Sequence, residues 1–462
     1  MTKSTSRSKS DPITSYIVLR DLDKEYPFPV LEANLEDAEK TFRAKNVRKG
    51  SRKAETRSIA DNQNFESLLD NALDAFLPYY QLASFSRIIG PALARVVLIE
   101  ATLGRKSTFS KIRETKTKAI YGLTDSQFEE VSESVTNATK IKNAFEVVPN
   151  SVLLSIVATY DAHVGNITRF SLLNNPQRII SGDQTYKARD IFKASSFDEL
   201  LQSIVDDEVH LILWESHQKQ IEKIEELFGF SIIQNFPFWG KFIEVFERRN
   251  LVAHGVTNAN ERYISICEKS DCPENERLAL GEEIDLDSVY LRKSVDSLLL
   301  FLIVLVWNIW IKLKRNEFAD AYEKINKISY ILISEGRYRL STRLLTIMIG
   351  WKNKDIPERS RRMMVINLAN AHKFLEEREE SEEVLKTYQW DSVSDDFKIC
   401  EAAVREDTSE VCRLMPKFKD EEAISKVDFR TWPVFNWVRD DEKFRAKFQE
   451  VFNEELIKSR GD

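Results

Sequence analysis

Three polar side chains able to act on a phosphate lie close together near the middle of the chain: Arg249, Asn250 and His254. The guanidinium fork binds phosphoryl oxygens, and an imidazole gives or takes a proton near neutral pH. Asn250 and His254 are four residues apart and share one helix face, whereas Arg249 and His254 are five apart and converge only if the helix loosens before Gly255. The pattern indicates phosphate chemistry, and its structural alternative is a helix-capping arrangement.

An amphipathic helix is predicted to carry these residues. Apolar side chains recur from Trp239 through Phe242, Val245 and Phe246 at helical spacing. Gly255 then ends the helix, because glycine readily takes the left-handed conformation found at helix C-termini. We therefore expect the polar cluster at the C-terminal end of a helix whose other face is buried.

The run from Arg249 to Tyr263 resembles the signature of HEPN domains (higher eukaryotes and prokaryotes nucleotide-binding). That signature is an arginine, usually followed by a polar residue, with four to six residues before a histidine. Arg249, Asn250 and His254 match these positions, and the preceding segment has a similar aromatic lead-in. Arg248 also matches, with five intervening residues. The sequence leaves the choice between the two arginines open and adds Arg248 to the candidate RNA-binding residues.

The resemblance implies a four-helix bundle and, in many members, a metal-independent endoribonuclease of toxin–antitoxin or antiviral defence systems. Such enzymes act as homodimers with two motifs facing one composite site, and they use no cofactor. In that scheme His254 is the general acid or base as the RNA 2′-hydroxyl attacks the adjacent phosphate, Arg249 neutralises the developing charge, and Asn250 orients the histidine or the phosphate. The alternative is a non-catalytic interaction or scaffold protein, because some HEPN domains only bind nucleotides or partners.

The composition predicts an all-α protein. Among 462 residues only 13 are glycine and 12 proline, while 42% are hydrophobic and 31% charged. The net charge of −7 is not that of a general nucleic-acid binder, so any RNA contact must come from local patches. One basic block is either a phosphate-contacting patch or a solvated loop. Its candidate RNA-binding residues are Arg43, Lys45, Arg48, Lys49, Arg52 and Lys53.

The pattern of helices divides the chain into four predicted regions. These are a flexible, basic N-terminal segment (1–60), a helical region with a break at Pro78 (61–148), the HEPN-like four-helix domain (149–315) and a region of helix pairs (316–462). In the four-helix domain, helices are predicted over 152–170, over 197–228, from Trp239 to the motif, and over 289–314.

Other titratable residues of the four-helix domain are assigned no chemistry. Asp161 and His163 are neighbours in sequence and are interpreted as a helix-surface pair. His210 and His217 share a face of the predicted 197–228 helix, but a spacing of seven is not the i, i+4 pair of a helical zinc motif. No metal site is therefore predicted.

The last third of the chain is predicted to form helix pairs. Turns recur near Gly336, Glu376 and Glu406, and a period of roughly 30 to 40 residues is typical of helical repeats. The run from Leu368 to Phe374 resembles a tetratricopeptide unit, and stacked helix pairs present a concave surface for protein partners. We expect this region, from about Asn316, to bind a protein partner and to be dispensable for intrinsic cleavage.

A cytoplasmic location without membrane contact is expected. The apolar run from Leu298 to Trp307 is only about half of the ~20 residues that a bilayer requires, which favours a buried bundle helix. The N-terminal residues lack the apolar core of a secretion signal. Four cysteines in so long a chain do not suggest a disulfide framework.

Overall fold

The structure is a computed structural model that describes residues 16–20, 28–32, 63–102, 110–114, 119–180, 194–351, 356–419 and 423–456. The chain divides into two compact units, Met1–Gln63 and Asn64–Asp462. Helices dominate the described residues, which confirms the prediction of a mostly helical protein.

Two short antiparallel hairpins add to the predicted all-α class. In the first unit β1 (Tyr16–Arg20) pairs with β2 (Phe28–Glu32). In the second unit β3 (Ser110–Glu114) pairs with β4 (Ala119–Gly122).

The helices of the second unit run in chain order from the N-terminal region to the end of the described chain. The first group is α1 (Phe65–Phe85), α2 (Ile89–Thr102), α3 (Asp125–Phe145), α4 (Val148–Leu173), α5 (Gln177–Ile180), α6 (Phe197–Trp214), α7 (His217–Phe228), α8 (Trp239–Ala253), α9 (Glu261–Lys269) and α10 (Ser288–Leu313). The second group is α11 (Phe318–Ser334), α12 (Tyr338–Gly350), α13 (Glu358–Phe374), α14 (Arg378–Lys386), α15 (Asp395–Val404), α16 (Thr408–Leu414), α17 (Lys426–Thr431), α18 (Asn436–Arg439) and α19 (Glu442–Phe452).

Helix α10 lies at the centre of the second unit. From Leu298 to Trp307 its side chains are apolar on every face, so this part must be covered on every face. Helices α1, α4 and α8 cover it from the N-terminal side of the chain, and α11 and α12 from the C-terminal side. By length and composition α10 could span a membrane, but 89% of its most apolar window is buried within the fold. The stretch Asp125–Leu173 also meets the length and composition criterion, with 28% of its window buried.

The predicted break at Pro78 is wrong, because α1 continues through it to Phe85. Proline removes one backbone hydrogen bond from a helix interior. Pro78 lies on the exposed side of α1, where water can satisfy the carbonyl that loses its partner. The opposite face is held in the core by Leu69, Phe76 and Tyr80.

The predicted helix over 197–228 is in fact two helices, α6 and α7, separated by Glu215 and Ser216. Both residues have extended backbone, with ψ of 167° and 150°. The buried side chain of Gln220 donates to the carbonyl oxygens of Leu213 and Glu215 at 3.2 and 3.0 Å, which satisfies acceptors that the break releases. His217 therefore begins α7 and does not share a helix with His210.

The turns within three consecutive helix pairs, α11–α12, α13–α14 and α15–α16, have closely similar backbone geometry. Gly336, Glu376 and Glu406 follow the ends of α11, α13 and α15, with φ of 68°, 64° and 63°. In each turn the next N–H closes a 6→1 bond to the preceding helix: Arg337 to Leu332, Glu377 to His372 and Asp407 to Ala402. The predicted turn positions are thus occupied by closely similar helix-ending motifs.

The hydrophobic core crosses the predicted boundary at residue 316. Trp307 of α10 packs edge-on against Tyr322 of α11 and against Trp351, with ring centroids 5.2 and 5.6 Å apart. Lys324 of α11 reaches Asp70 of α1 at 2.6 Å. A second core, formed from α13 onward, lies farther along the chain. Helices α11 to α13 therefore belong to the same core as the predicted four-helix domain.

Candidate active site

The predicted motif helix is α8, and it ends where the sequence indicates. His254 is its C-cap residue, with its N–H bonded to the carbonyl of Asn250 at 3.1 Å, and Gly255 has a φ of 66°. The N–H of Val256 closes the turn on the carbonyl of Leu251 at 2.9 Å. The helix keeps its hydrogen bonding through His254, so local loosening does not bring Arg249 to His254.

Arg248 faces the protein interior. Its Nε donates to Oε1 of Glu244 at 2.6 Å, and its guanidinium lies 3.8 Å from the ring centroid of Tyr290. The hydroxyls of Tyr263 and Tyr290 also donate to Glu244, at 2.6 and 3.1 Å. Arg248 is 5% exposed and Glu244 is 1% exposed. This buried network fixes the rotation of α8 and holds Arg248 away from the cleft that Arg249 lines.

Arg249 faces the opposite side, toward an open cleft. Its Nη1 donates to Oδ1 of Asn250 at 3.2 Å, and its Nη2 lies 3.9 Å from Oδ2 of Asp161. The Asn250 amide donates to Glu247 at 3.3 Å. The Nε of Arg249 is buried and has no hydrogen-bond partner among the described residues. Because its contacts are few and long, the Arg249 guanidinium retains donors for a ligand.

The cleft has a volume of about 640 Å³, which is within the range of small-molecule binding sites. Four chain segments line it: α4, the α6–α7 junction, α8 from Ile243 onward, and the turn into α9 together with α9 as far as Ile266. The lining side chains able to carry charge are Asp161, Glu215, His217, Glu247, Arg249, His254 and Arg262. His254 and Asn250 are on this surface, so the cleft collects all three motif residues.

The structure places two further titratable residues in the cleft, Asp161 and His217, to which the sequence analysis assigned no chemistry. Nε2 of His217 lies 3.1 Å from Oδ1 of Asp161. The His217 ring stacks on Phe246 of α8, with centroids 3.6 Å apart and an interplanar angle of 14°. Asp161 therefore bridges His217 and Arg249. Hydrophobic periodicity carries no signal for this contact, because it continues across the break between α6 and α7.

His163 and His210, the residues that the sequence pattern paired with Asp161 and His217, lie outside the cleft. His163, the sequence neighbour of Asp161, lies 6.2 Å from the ring of Phe76, and burial lowers the pKa of its imidazole. His210 is exposed on α6, with its ring centroid 5.8 Å from that of Trp214. Neither histidine lines the cleft.

Electrostatics in the cleft are set by partial burial. Burial raises the pKa of Glu247, against the opposing influence of Arg262, His217 and the Asn250 amide. Glu247 therefore keeps its proton to a higher pH than a fully exposed glutamate does. The two arginines, Arg249 and Arg262, are the groups of the cleft that could hold an anion, and the only ion-pair contact of Arg249 among the described residues is the 3.9 Å one to Asp161.

Two remaining sequence predictions concern metals and the basic block. Within the described ranges, no group of three or more His, Cys, Asp or Glu side chains is placed to hold a metal ion. The basic block, with Arg43, Lys45, Arg48, Lys49, Arg52 and Lys53, lies outside the described residues.

Comparison with known proteins adds no relative: no family model, curated protein or solved structure matches the chain. The functional argument therefore rests on the motif and on the geometry of the cleft.

Proposed function

We propose that this protein is a metal-independent endoribonuclease of the HEPN type. The observation that carries the proposal is that Arg249, Asn250 and His254 line one cleft, while the competing Arg248 is held in a buried network with Glu244. A guanidinium with free donors and an exposed imidazole in the same cleft suit the binding and cleavage of a phosphodiester.

The proposed reaction is an internal transfer of the phosphoryl group. The 2′-hydroxyl oxygen of RNA forms a bond to the adjacent phosphorus as the bond from phosphorus to the 5′-oxygen breaks. The hydroxyl proton passes to a base, and the departing 5′-oxygen takes a proton from an acid. The products are a 2′,3′-cyclic phosphate and a 5′-hydroxyl. His254 supplies one of these proton transfers, Arg249 stabilises the charge on the phosphoryl oxygens, and Asn250 positions Arg249.

The wider proposal has four further parts. The protein is a cytoplasmic toxin or antiviral-defence effector that needs no membrane contact. It acts as a homodimer through the HEPN-like bundle. The helix pairs from α11 onward form tetratricopeptide-like repeats. These repeats bind a protein partner, which the shared turn geometry at Gly336, Glu376 and Glu406 supports.

A non-catalytic scaffold is the second candidate function. The same three turns favour it, because helix-pair arrays commonly serve as binding surfaces. The two functions differ in what they require of His254. Catalysis requires its imidazole, whereas a scaffold tolerates its replacement.

The test is cleavage of a mixed RNA pool by purified wild-type protein and by His254→Ala, Arg249→Ala and His163→Ala variants. We expect His254→Ala and Arg249→Ala to lose roughly 10²-fold or more in rate. His163→Ala, which removes an imidazole outside the cleft, should retain activity. Chelation with EDTA should leave the wild type active.

Two results would contradict the ribonuclease proposal. One is cleavage by His254→Ala at the wild-type rate, and the other is loss of wild-type activity in EDTA. Thermal melts of each variant separate loss of chemistry from loss of fold. Sedimentation at micromolar concentration, with and without RNA, tests the dimer independently, since a monomer under both conditions would exclude it.

A further inference from the structure

Transesterification of RNA needs two proton transfers, one from the 2′-hydroxyl and one to the 5′-oxygen. His254 can serve one of them at a time. The cleft contains a second imidazole, that of His217, which lies at the start of α7 and stacks on Phe246 of α8. We propose that His217 is the second proton-transfer residue and that Asp161 is its positioning residue. This inference rests on the ribonuclease function proposed above.

The contacts of His217 fix its ring in one plane. The ring stacks on Phe246 at 3.6 Å between centroids, and Nε2 lies 3.1 Å from Oδ1 of Asp161. With Nε2–H donated to the carboxylate, Nδ1 is the atom left to exchange a proton. The hydrogen bond found for this ring within the part of the chain that the structure describes is the one at Nε2. A carboxylate that orients an imidazole for proton transfer is a recurrent catalytic arrangement.

Asp161 also joins this pair to the phosphate-binding side of the cleft. Its Oδ2 lies 3.9 Å from Nη2 of Arg249, while its Oδ1 faces His217. A phosphate held by Arg249 would therefore lie near the His217 ring. Helix α4 supplies Asp161, the start of α7 supplies His217, and α8 supplies Arg249, so three helices must pack correctly to form the constellation.

This arrangement supplies both proton carriers from one chain. Either His217 or His254 takes the 2′-hydroxyl proton, and the other protonates the departing 5′-oxygen. The two roles can be separated chemically, because a thiolate leaves without protonation far more readily than an alkoxide. A substrate with sulfur in place of the bridging 5′-oxygen therefore bypasses the general acid and still requires the general base.

The experiment uses a single-stranded RNA oligonucleotide that contains one linkage cleaved in the mixed pool, and its 5′-thio counterpart. The variants are His217→Gln, which can still bond to Asp161, and His217→Phe, which keeps the stack on Phe246. His254→Ala and the exposed His210→Gln complete the set. At least one His217 variant is expected to melt like the wild type, since each preserves one of the two native contacts.

On the oxygen substrate we expect His217→Gln, His217→Phe and His254→Ala to lose about 10²- to 10⁴-fold in rate, and His210→Gln to match the wild type. On the 5′-thio substrate, the variants of one histidine should recover nearly the wild-type rate and those of the other should not. Asp161→Asn should show the same substrate pattern as His217→Gln with a smaller loss, which a purely structural role for Asp161 does not predict.

The inference is overturned if both His217 variants cleave the oxygen substrate like the wild type while His254→Ala does not. It is also overturned if the 5′-thio substrate rescues neither histidine. A wild-type protein that cleaves no RNA would instead remove the proposed function, and this inference with it. Failure of the ribonuclease proposal and failure of the His217 proposal therefore give different results.

Discussion

Glu244 and Arg248 form a buried ion pair one helical turn apart, with Arg248 Nε 2.6 Å from Glu244 Oε1. Two tyrosine hydroxyls from α9 and α10 donate to the same carboxylate. The pair therefore ties α8 to two neighbouring helices. It also determines that Arg249, one residue later, is the arginine that faces the cleft.

Removing the charge of Glu244 should destabilise the fold strongly. We expect Glu244→Gln to lower the free energy of unfolding by about 3–5 kcal/mol, because Arg248 would be left buried without its counter-charge. Urea denaturation measures the change. The matched control is Asp206→Asn, which breaks the exposed ion pair with Arg169 and should cost less than about 1 kcal/mol. Equal losses in the two variants would mean that the buried network does not hold α8.

Substitution of Arg248 should affect mainly stability, and substitution of Arg249 should affect mainly the cleavage rate. Arg248→Met should destabilise the protein by about 3–5 kcal/mol, since it leaves Glu244 unpaired in the interior. Arg249→Met should change stability by only about 0.5 kcal/mol, because its contacts are long and partly exposed, yet lower the cleavage rate roughly 10²-fold or more. Thermal melts and rate measurements on both variants provide the comparison. A reversed pattern would assign the phosphate contact to Arg248.

His163 should make the fold sensitive to acid. Burial lowers the pKa of its imidazole in the folded state from the ordinary value of 6.5. The folded protein therefore favours neutral His163, and its contribution to stability is complete above pH 6.5 and is lost as the pH falls toward the folded-state pKa. We expect the Tm of the wild type to fall more between pH 7 and pH 5 than that of His163→Gln. The exposed His210→Gln should follow the wild type, and an identical decline in all three proteins would exclude the effect.

Truncation at the predicted boundary should damage the four-helix domain. A chain that ends at Leu313 loses Tyr322 and Trp351 from the surface of Trp307, and loses the ion pair between Lys324 and Asp70. We expect this shorter chain to lose its cooperative unfolding transition, because Trp307 would lose its packing partners. For scale, replacing a buried aromatic side chain by alanine costs about 3–5 kcal/mol of stability.

The control for this truncation is a chain that ends at Tyr388, which retains α11 to α14 over α10. Circular dichroism during heating distinguishes the two proteins. If the shorter chain melts cooperatively near the temperature of the longer one, α11 and α12 are not part of the bundle's stable core. Cleavage by the chain ending at Tyr388 then tests the expectation that the remaining C-terminal residues are dispensable.

The sequence predicted the parts of the site that depend on neighbours along the chain. The amphipathic pattern from Trp239, the helix end at Gly255 and the burial of α10 all follow from local periodicity and composition, and the structure contains them. The choice between Arg248 and Arg249 did not follow, because it depends on tyrosines of two other helices. The i, i+4 spacing of Glu244 and Arg248 was the available clue, since it marks Arg248 as already paired.

The contact between Asp161 and His217 lay beyond sequence patterns for a different reason. The two residues are separated by 56 positions, and they meet only because the chain breaks at Glu215 and Ser216. Hydrophobic periodicity continues across that break, so it predicted one helix. The buried amide of Gln220 compensates for the break, and nothing in the local spacing distinguishes it from an ordinary helix-surface residue.

The central position of α10 has a consequence for folding during synthesis on the ribosome. This long apolar helix is covered partly by helices made before it and partly by α11 and α12, which are made after it. During synthesis it therefore leaves the exit tunnel with one side uncovered until about residue 350 has emerged. In that interval the nascent chain presents a long apolar helix to the cell's chaperones and insertion machinery. Docking of α11 and α12 ends that exposure.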